Sequence, residues 1–174
     1  MAFDEQDLKR LEALHREIDL LTGSLAERLG PRLVCRCCCN DCCQDDLTVL
    51  EIESQLIQAR CGEMLTEAEP APPGQCAFLD QEGACRIYAW RPYVCRTQGL
   101  PLRWFEDEAE TDEQRDICPL NVDAMTELGE KVEDLAAEDC WTLGLWEGRL
   151  ASLQVEASGK FELKRVALRS LFHR

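Results

Sequence analysis

The segment between residues 35 and 43 constrains this chain more than any other feature, because six of its nine residues are cysteines. A chain of 174 residues can bury a hydrophobic core large enough to carry its fold, so disulfides are not needed as staples. Disulfide-rich domains are usually shorter and secreted. The 12 cysteines of the chain therefore favour metal ligation or redox thiols, with inert thiols or disulfides as the alternative.

The N-terminal sequence and the charge balance bear on compartment and partners. The chain begins MAFDEQDLKR, a charged stretch without the apolar run of a secretory leader, and no segment has enough consecutive apolar residues to span a bilayer. We therefore expect a cytoplasmic protein with no membrane partner. The 34 Asp and Glu outnumber the 19 Lys and Arg, which gives a net charge of −15. Such a surface repels phosphate backbones, so we expect no nucleic-acid partner.

An amphipathic helix is predicted within residues 1–31. Its apolar residues recur at gaps of three and four, so they form one narrow stripe, and Gly30-Pro31 ends the helix. The stripe consists of Leu8, Leu11, Leu14, Ile18, Leu21, Leu25 and Leu29. The stripe packs either on the rest of the domain or on a second copy of the helix. We therefore expect a homodimer, or a complex with a protein partner, through this helix. His15 lies beside the stripe and is predicted to be a surface or boundary residue rather than a metal ligand.

The rest of the chain predicts a small α-dominant α+β fold, organised around a cysteine-ligated metal centre. A single domain is expected over residues 1–174, with a cysteine-rich core at 35–118 and a helical and β flank at 119–174. Helical segments are predicted at 47–60, from Arg91-Pro92 through Cys95, at 121–139 and at 166–172. Loops are predicted at 62–75 and 106–116, and short hairpins at 76–85 and 153–163. Four residues are predicted to form a corner of the core: Trp141, Leu143, Leu145 and Trp146.

The spacing of the cysteines predicts which of them bind metal. Gaps of two or three residues bring thiolates together within a turn, and tertiary structure must close the longer gaps. The candidate ligands are Cys35, Cys39, Cys42, Cys43, Cys76, Cys85, Cys95 and Cys118. Adjacent cysteines such as Cys42 and Cys43 suit two different metals, or one metal and one core position, better than one shared ion. An all-cysteine set with only two histidines in the chain favours structural zinc or an iron–sulfur cluster.

Arginines stand beside the candidate ligands in the sequence. They are Arg36, Arg86, Arg91 and Arg96. We predict that Arg36, Arg86 and Arg96 contribute to the cofactor site, because guanidinium groups can donate to sulfur or carboxylate and offset thiolate charge. Surface salt bridges are the alternative role for these arginines.

Four sequence pieces in fixed order resemble the YkgJ-type cysteine-cluster family. They are Cys39-x-x-Cys42-Cys43, Cys76-Ala-Phe-Leu-Asp80, Gly83-Ala-Cys85-Arg-Ile-Tyr88 and Arg91-Pro92-Tyr-Val-Cys95-Arg96. The resemblance covers about residues 35–118 and implies a zinc- or iron-chelating domain that uses the eight cysteines named above. The family pattern begins C-x-x-C-x-x-C-C, whereas here Arg36 occupies its first position. Cys35, Cys37 and Cys38 are therefore alternatives for the first ligand. Cys61 and Cys140 match nothing and are predicted to be buried structural cysteines.

The sequence supports a metal-binding function without deciding whether the chain is an enzyme. The first hypothesis is a protein that holds zinc or an iron–sulfur cluster through about eight thiolates. The alternative is an iron–sulfur enzyme, or enzyme component, in redox or protein-modification chemistry of the methylation type, which the resemblance implies. No phosphate-binding loop, dinucleotide-binding motif, serine nucleophile elbow or H-E-x-x-H zinc motif occurs in the sequence.

Overall fold

The computed structural model describes residues 3–36, 39–106 and 111–173. The helices are α1 (Glu5–Leu29), α2 (Glu51–Glu67), α3 (Tyr93–Arg96), α4 (Pro119–Glu127) and α5 (Leu145–Ser158). The strands are β1 (Thr48–Leu50), β2 (Leu102–Phe105), β3 (Glu113–Asp116), β4 (Trp141–Thr142) and β5 (Arg165–Ala167). Short 3-10 turns lie at Gly30–Arg32, Tyr88–Trp90, Val132–Asp134, Ala137–Asp139 and Leu168–His173. The predicted α-dominant α+β class is confirmed.

Helix α1 is specified locally at both ends. Asp4 and Asp7 form a reciprocal capping box, in which Asp4 accepts from the Asp7 amide at 2.9 Å and Asp7 accepts from the Asp4 amide at 3.2 Å. Gly30 ends the helix with a φ of 53° that favours glycine. Of the two environments predicted for the apolar stripe, the structure shows its own domain, because α1 packs on α2, α3 and α5. His15 is buried, so its prediction as a surface or boundary residue is wrong.

The apolar residues form two cores. The first surrounds α1 and α5 and includes Trp141 stacked on Trp146, with ring centroids 5.5 Å apart. The Trp141 indole N–H donates to the Tyr93 hydroxyl at 3.0 Å, which ties α3 to this core. The second core joins α2 to the cysteine-rich segment and the C-terminal turn. Its fully buried members include Ile57 and Phe78. The flank after residue 118 therefore contributes to both cores.

Two small sheets connect distant parts of the chain. Strands β1 and β5 pair antiparallel, with Val49 opposite Val166, which holds the C-terminal turn against α2. The second sheet has the order β3-β2-β4, with β2 and β3 antiparallel and β2 and β4 parallel. Among the described residues, no helix combines the length and apolar character needed to cross a membrane.

Several predicted boundaries are wrong. Helix α2 continues past its predicted end at residue 60 to Glu67, with a kink at Cys61, because Leu65 packs into the second core. The predicted hairpin at 153–163 is instead the end of α5, which Gly159 terminates in a left-handed conformation. The helix predicted at 121–139 is α4, which stops at Glu127. Part of the loop predicted at 106–116 is strand β3. Leu145 is exposed rather than part of the core corner.

Candidate metal centre

The first four candidate ligands lie on the irregular segment that joins α1 to β1. The Asn40 amide donates to the Gly83 carbonyl at 3.3 Å, and the Cys76 backbone N–H donates to the Cys43 carbonyl at 3.0 Å. The second cysteine group thus fixes the first.

The predicted hairpin at 76–85 is present as a turn closed by one antiparallel bridge, between Leu79 and Cys85. Asp80 organises the turn, because one oxygen of its carboxylate accepts from the Glu82 amide at 3.0 Å and from the Ala84 amide at 2.7 Å. This Asx-type turn reverses the chain. It places the Cys76 and Cys85 thiols within reach of each other's charge.

Four thiols gather around Cys76, and we name them the inner thiols: Cys43, Cys76, Cys85 and Cys95. Cys76 is buried and the other three are half-buried, and Cys43, Cys76 and Cys85 pack in the second core. Burial raises the pKa of Cys95 to about 12, with further contributions from the Cys76 and Cys85 thiols. Burial likewise raises the pKa of Cys85, and the charge of Cys76 adds to the increase. Thiolates in this position need positive charge nearby.

The other four candidate ligands gather around Cys35, and we name them the outer thiols: Cys35, Cys39, Cys42 and Cys118. Cys35 is exposed and the other three are half-buried. Partial burial raises the pKa of Cys35, and the neighbouring thiols, Cys118 first, add to the increase. A hydrogen bond from the Asn121 side chain opposes it.

Two residues that the sequence analysis missed hold Cys35 in place. Asn121 is fully buried, and its amide nitrogen donates to the Gly99 carbonyl at 2.6 Å and lies 3.5 Å from the Cys35 sulfur. Its amide oxygen accepts from the Val34 backbone N–H at 2.9 Å. Gly99 has a φ of 86°, and a Cβ there would lie 2.7 Å from the Cys35 sulfur. Neither residue belongs to a recognisable motif, so only tertiary contacts reveal their role.

Cys42 and Cys43 join the two groups. Their side chains interact with each other, which lowers the pKa of Cys42 to about 6 and raises the pKa of Cys43 well above its ordinary value. The charge of Cys42 acts on both Cys35 and Cys95, and the charges of Cys76 and Cys95 act on Cys43. The adjacent pair is therefore shared between two neighbouring groups of thiols.

Arginines near the inner thiols bind backbone and carboxylate groups. Arg86 donates to the Ala77 carbonyl at 2.7 Å. Burial raises the pKa of both Cys76 and Cys85, and the Arg86 charge opposes part of that increase. Arg91 donates to Asp19 at 2.8 Å, and the buried Arg96 pairs with the same carboxylate. Arg36 is exposed. The role of Arg36, Arg86 and Arg96 in holding a cofactor stays a prediction.

Arg169, to which the sequence analysis assigned no role, makes several hydrogen bonds near the inner thiols. It donates to Asp45 at 2.8 Å, to the Ala71 carbonyl at 2.7 Å and to the Gln75 carbonyl at 2.7 Å. The Asp45 pKa falls to about 2, chiefly because of the Arg169 hydrogen bond. Burial raises the pKa of Cys76, and the charge of Arg169 opposes part of that increase. The C-terminal turn thereby fixes the loop that precedes the second cysteine group.

A cleft of about 400 Å³ opens beside the outer thiols. Cys42 and Cys118 line it, together with two carboxylates, Asp41 and Asp116, and apolar side chains that include Leu120. Cys118 also precedes α4 as its N-cap residue, where the helix dipole favours negative charge.

The thiols that the structure describes are neighbours, but they are not arranged as the ligands of one metal ion. Over residues 3–36, 39–106 and 111–173, no three His, Cys, Asp or Glu side chains are arranged to hold a metal ion. The cysteines in this part of the chain are all free thiols. Cys37 and Cys38 lie outside the described residues, so the identity of the first ligand stays open. The donor chemistry of both groups, sulfur alone, fits metals that prefer thiolates.

The two unassigned cysteines have different environments. Cys140 is buried, as predicted, and its neighbours are charged groups of the β3-β2-β4 sheet rather than other thiols. Cys61 is only half-buried, so its prediction as a buried residue is wrong. It packs against the second core at the kink of α2, and the charge of Cys85 raises its pKa after the larger effect of burial.

Fold and site together define a small α+β protein with a cysteine cluster. Residues 34–119 match the sequence model of the CxxCxxCC family, described as a "Putative zinc- or iron-chelating domain". The resemblance found in the sequence is confirmed over that segment, as a match to a zinc- or iron-chelating domain. No curated protein and no solved structure shows significant similarity to the chain.

Proposed function

We propose that this protein binds thiophilic metal at two sites, one at the inner thiols and one at the outer thiols, as zinc or within an iron–sulfur cluster. One observation carries the proposal: the eight cysteines are neighbours, with Cys39, Cys42 and Cys118 near Cys35, with Cys43, Cys76 and Cys85 near Cys95, and with Cys42 near both Cys35 and Cys95. Four thiolates are the usual complement of a structural zinc site or of an iron–sulfur cluster.

Charge supports the same proposal. Eight thiolates would add to a chain whose net charge is already −15. Burial disfavours the charged form of Cys76, Cys85 and Cys95, and the nearby arginines offset only part of that cost. A bound cation would neutralise the sulfur charge and supply free energy to the fold, as metals do in small cysteine-ligated domains.

Metal analysis of protein prepared reduced and without oxygen tests this function. We expect about two zinc ions or one to two clusters per chain, which is the content that sites of four thiolates each provide. A colourless protein with zinc would identify zinc sites, whereas visible sulfur-to-iron charge-transfer absorption would identify a cluster. Protein without stoichiometric metal would contradict the proposal.

The alternative function, an iron–sulfur enzyme or enzyme component in redox or protein-modification chemistry, draws support from the cleft. A cavity of about 400 Å³ next to Cys42 and Cys118 leaves room for a second molecule beside the outer thiols. Reversible bleaching of the visible absorption by a one-electron reductant is the expected result for this function. A zinc-loaded, colourless protein would exclude it.

A further inference from the structure

The two groups of thiols differ in their access to solvent. Among the outer thiols, Cys35 is exposed, and Cys42 and Cys118 line the cleft. Among the inner thiols, Cys76 and Cys85 pack with Phe78 and other apolar residues of the second core, and neither lines the cleft. An incoming ion or ligand can therefore reach the outer thiols through an existing opening. The inner thiols do not line this opening, and Cys76, the buried one among them, lies among packed apolar side chains.

The side chains that line the cleft carry negative charge, which would attract an entering cation. Asp41 and Asp116 line its walls, and the charge of Asp41 is felt by the Cys42 thiol beside it. No Lys or Arg occurs among the lining residues in the part of the chain that the structure describes. A cleft lined by one sign of charge concentrates ions of the opposite sign. The walls therefore favour cations over anions.

Resting on the metal-binding function proposed above, we propose that this cleft is the entrance through which a thiophilic divalent cation reaches and leaves the outer thiols, so that the outer metal exchanges while the inner metal is retained. In the exchange, metal–sulfur bonds at Cys35, Cys39, Cys42 and Cys118 break. The sulfur atoms keep their electron pairs and take up protons or the incoming cation. No atom is oxidised or reduced.

Release of zinc to a chromogenic chelator tests the proposal. Reduced protein is loaded with Zn²⁺, its metal content is measured, and 4-(2-pyridylazo)resorcinol is added while absorbance records the zinc released. We expect two phases of equal amplitude, one fast and one slow. In Cys118→Ser the fast phase disappears and the slow phase remains, whereas in Cys85→Ser the slow phase is lost.

A second pair of variants leaves all ligands intact, so it remains informative if a cysteine variant fails to fold. Leu120→Trp fills the cleft, and because the apolar surroundings control access to a site, we expect the fast phase to slow about tenfold. Val122→Trp is the matched control, since Val122 is on the same helix, is similarly exposed and does not line the cleft. It should leave both phases unchanged.

The possible failures are distinguishable. A protein that takes up no zinc contradicts the metal-binding function itself. Zinc that is bound but leaves in a single phase contradicts the proposed entrance alone. The entrance is also contradicted if Cys118→Ser loses the slow phase, if Leu120→Trp leaves the fast phase unaltered, or if Val122→Trp slows it equally.

Discussion

The inner and outer thiols are built from the same residue type, yet the protein holds them by different means. The inner thiols sit in an apolar core, with the charges of Arg86 and Arg169 nearby. The outer thiols are positioned by one buried amide, Asn121, and by close packing on Gly99, beside an acidic cleft. The difference teaches that the tertiary surroundings, and not the local cysteine pattern, distinguish the two groups of thiols.

The largest effect is expected from removing one inner thiol. Cys85→Ser should lower the free energy of unfolding of the metal-loaded protein by on the order of 4 kcal/mol, because the loss of a proposed thiolate ligand weakens metal binding inside a packed core. Urea denaturation followed by circular dichroism measures the change. Cys118→Ser, the matched outer variant, should cost less than half as much. Equal losses in the two variants would remove the distinction between the groups.

The next effect concerns the arginine that fixes the loop before Cys76. Arg169→Gln should lower the free energy of unfolding by about 2 kcal/mol, because it removes charge-assisted hydrogen bonds to Asp45 and to two carbonyls in a partly buried position. Urea denaturation of the zinc-loaded protein provides the measurement.

A surface arginine serves as the control for this change. Arg149 pairs with Glu17 at 2.6 Å, and both side chains are largely exposed. Arg149→Gln should therefore cost less than about 1 kcal/mol. A larger loss from Arg149→Gln than from Arg169→Gln would show that the C-terminal turn does not stabilise the inner site.

The third prediction tests the outer group through its packing. Gly99→Ala should lower stability by about 1 to 2 kcal/mol, because the residue has a positive φ and the new methyl group would displace the Cys35 sulfur. Zinc affinity should fall for one site only, which competitive titration with a chelator measures.

Gly148→Ala is the matched control for Gly99→Ala. Gly148 lies within α5, and a Cβ there meets no atom within 4 Å. Alanine should stabilise the helix by about 0.5 to 1 kcal/mol and leave both zinc affinities unchanged. Weakening of both zinc sites by Gly99→Ala would instead indicate a general loss of folding.

The smallest effect is a pH dependence that belongs to neither group. His15 is buried 3.4 Å from the Glu53 carboxylate, near Asp19 and Arg96, and burial lowers its pKa from 6.5. As pH falls through 6.5, the unfolded chain binds a proton that the folded chain does not, so the free energy of unfolding decreases. His15→Leu should remove this part of the pH dependence, worth about 1 kcal/mol over one pH unit.

Stability curves of both zinc-loaded proteins between pH 7.5 and about 5.5, a range that spans the ordinary histidine pKa, measure this difference. Acid also protonates thiolates, but it does so in both proteins, so the difference between the curves isolates His15. Parallel curves would contradict the prediction.

Features coded by neighbouring residues were predictable from the sequence. Helix α1, its termination at Gly30-Pro31 and the short α3 helix depend on contacts a few residues apart, and the structure contains them. Leu21 of the predicted stripe is exposed. The errors occurred where packing at a distance decides. Helix α2 passes the expected stop because Leu65 reaches the second core, and β2 pairs with β3 across the acidic segment.

The sequence by itself determined that thiols dominate the chemistry, that the cysteine cluster resembles a chelating domain, and that the fold is mainly helical. The spacing of the cysteines and the one-sided apolar stripe of a helix can be read from the sequence, because each involves residues within a turn or two of the chain. Tertiary structure alone decided that the thiols divide around Cys35 and Cys76, that Asn121, Gly99 and Arg169 support them, and that the cleft opens at Cys42 and Cys118. These arrangements join residues far apart in the chain, and no local pattern encodes the contacts that bring them together.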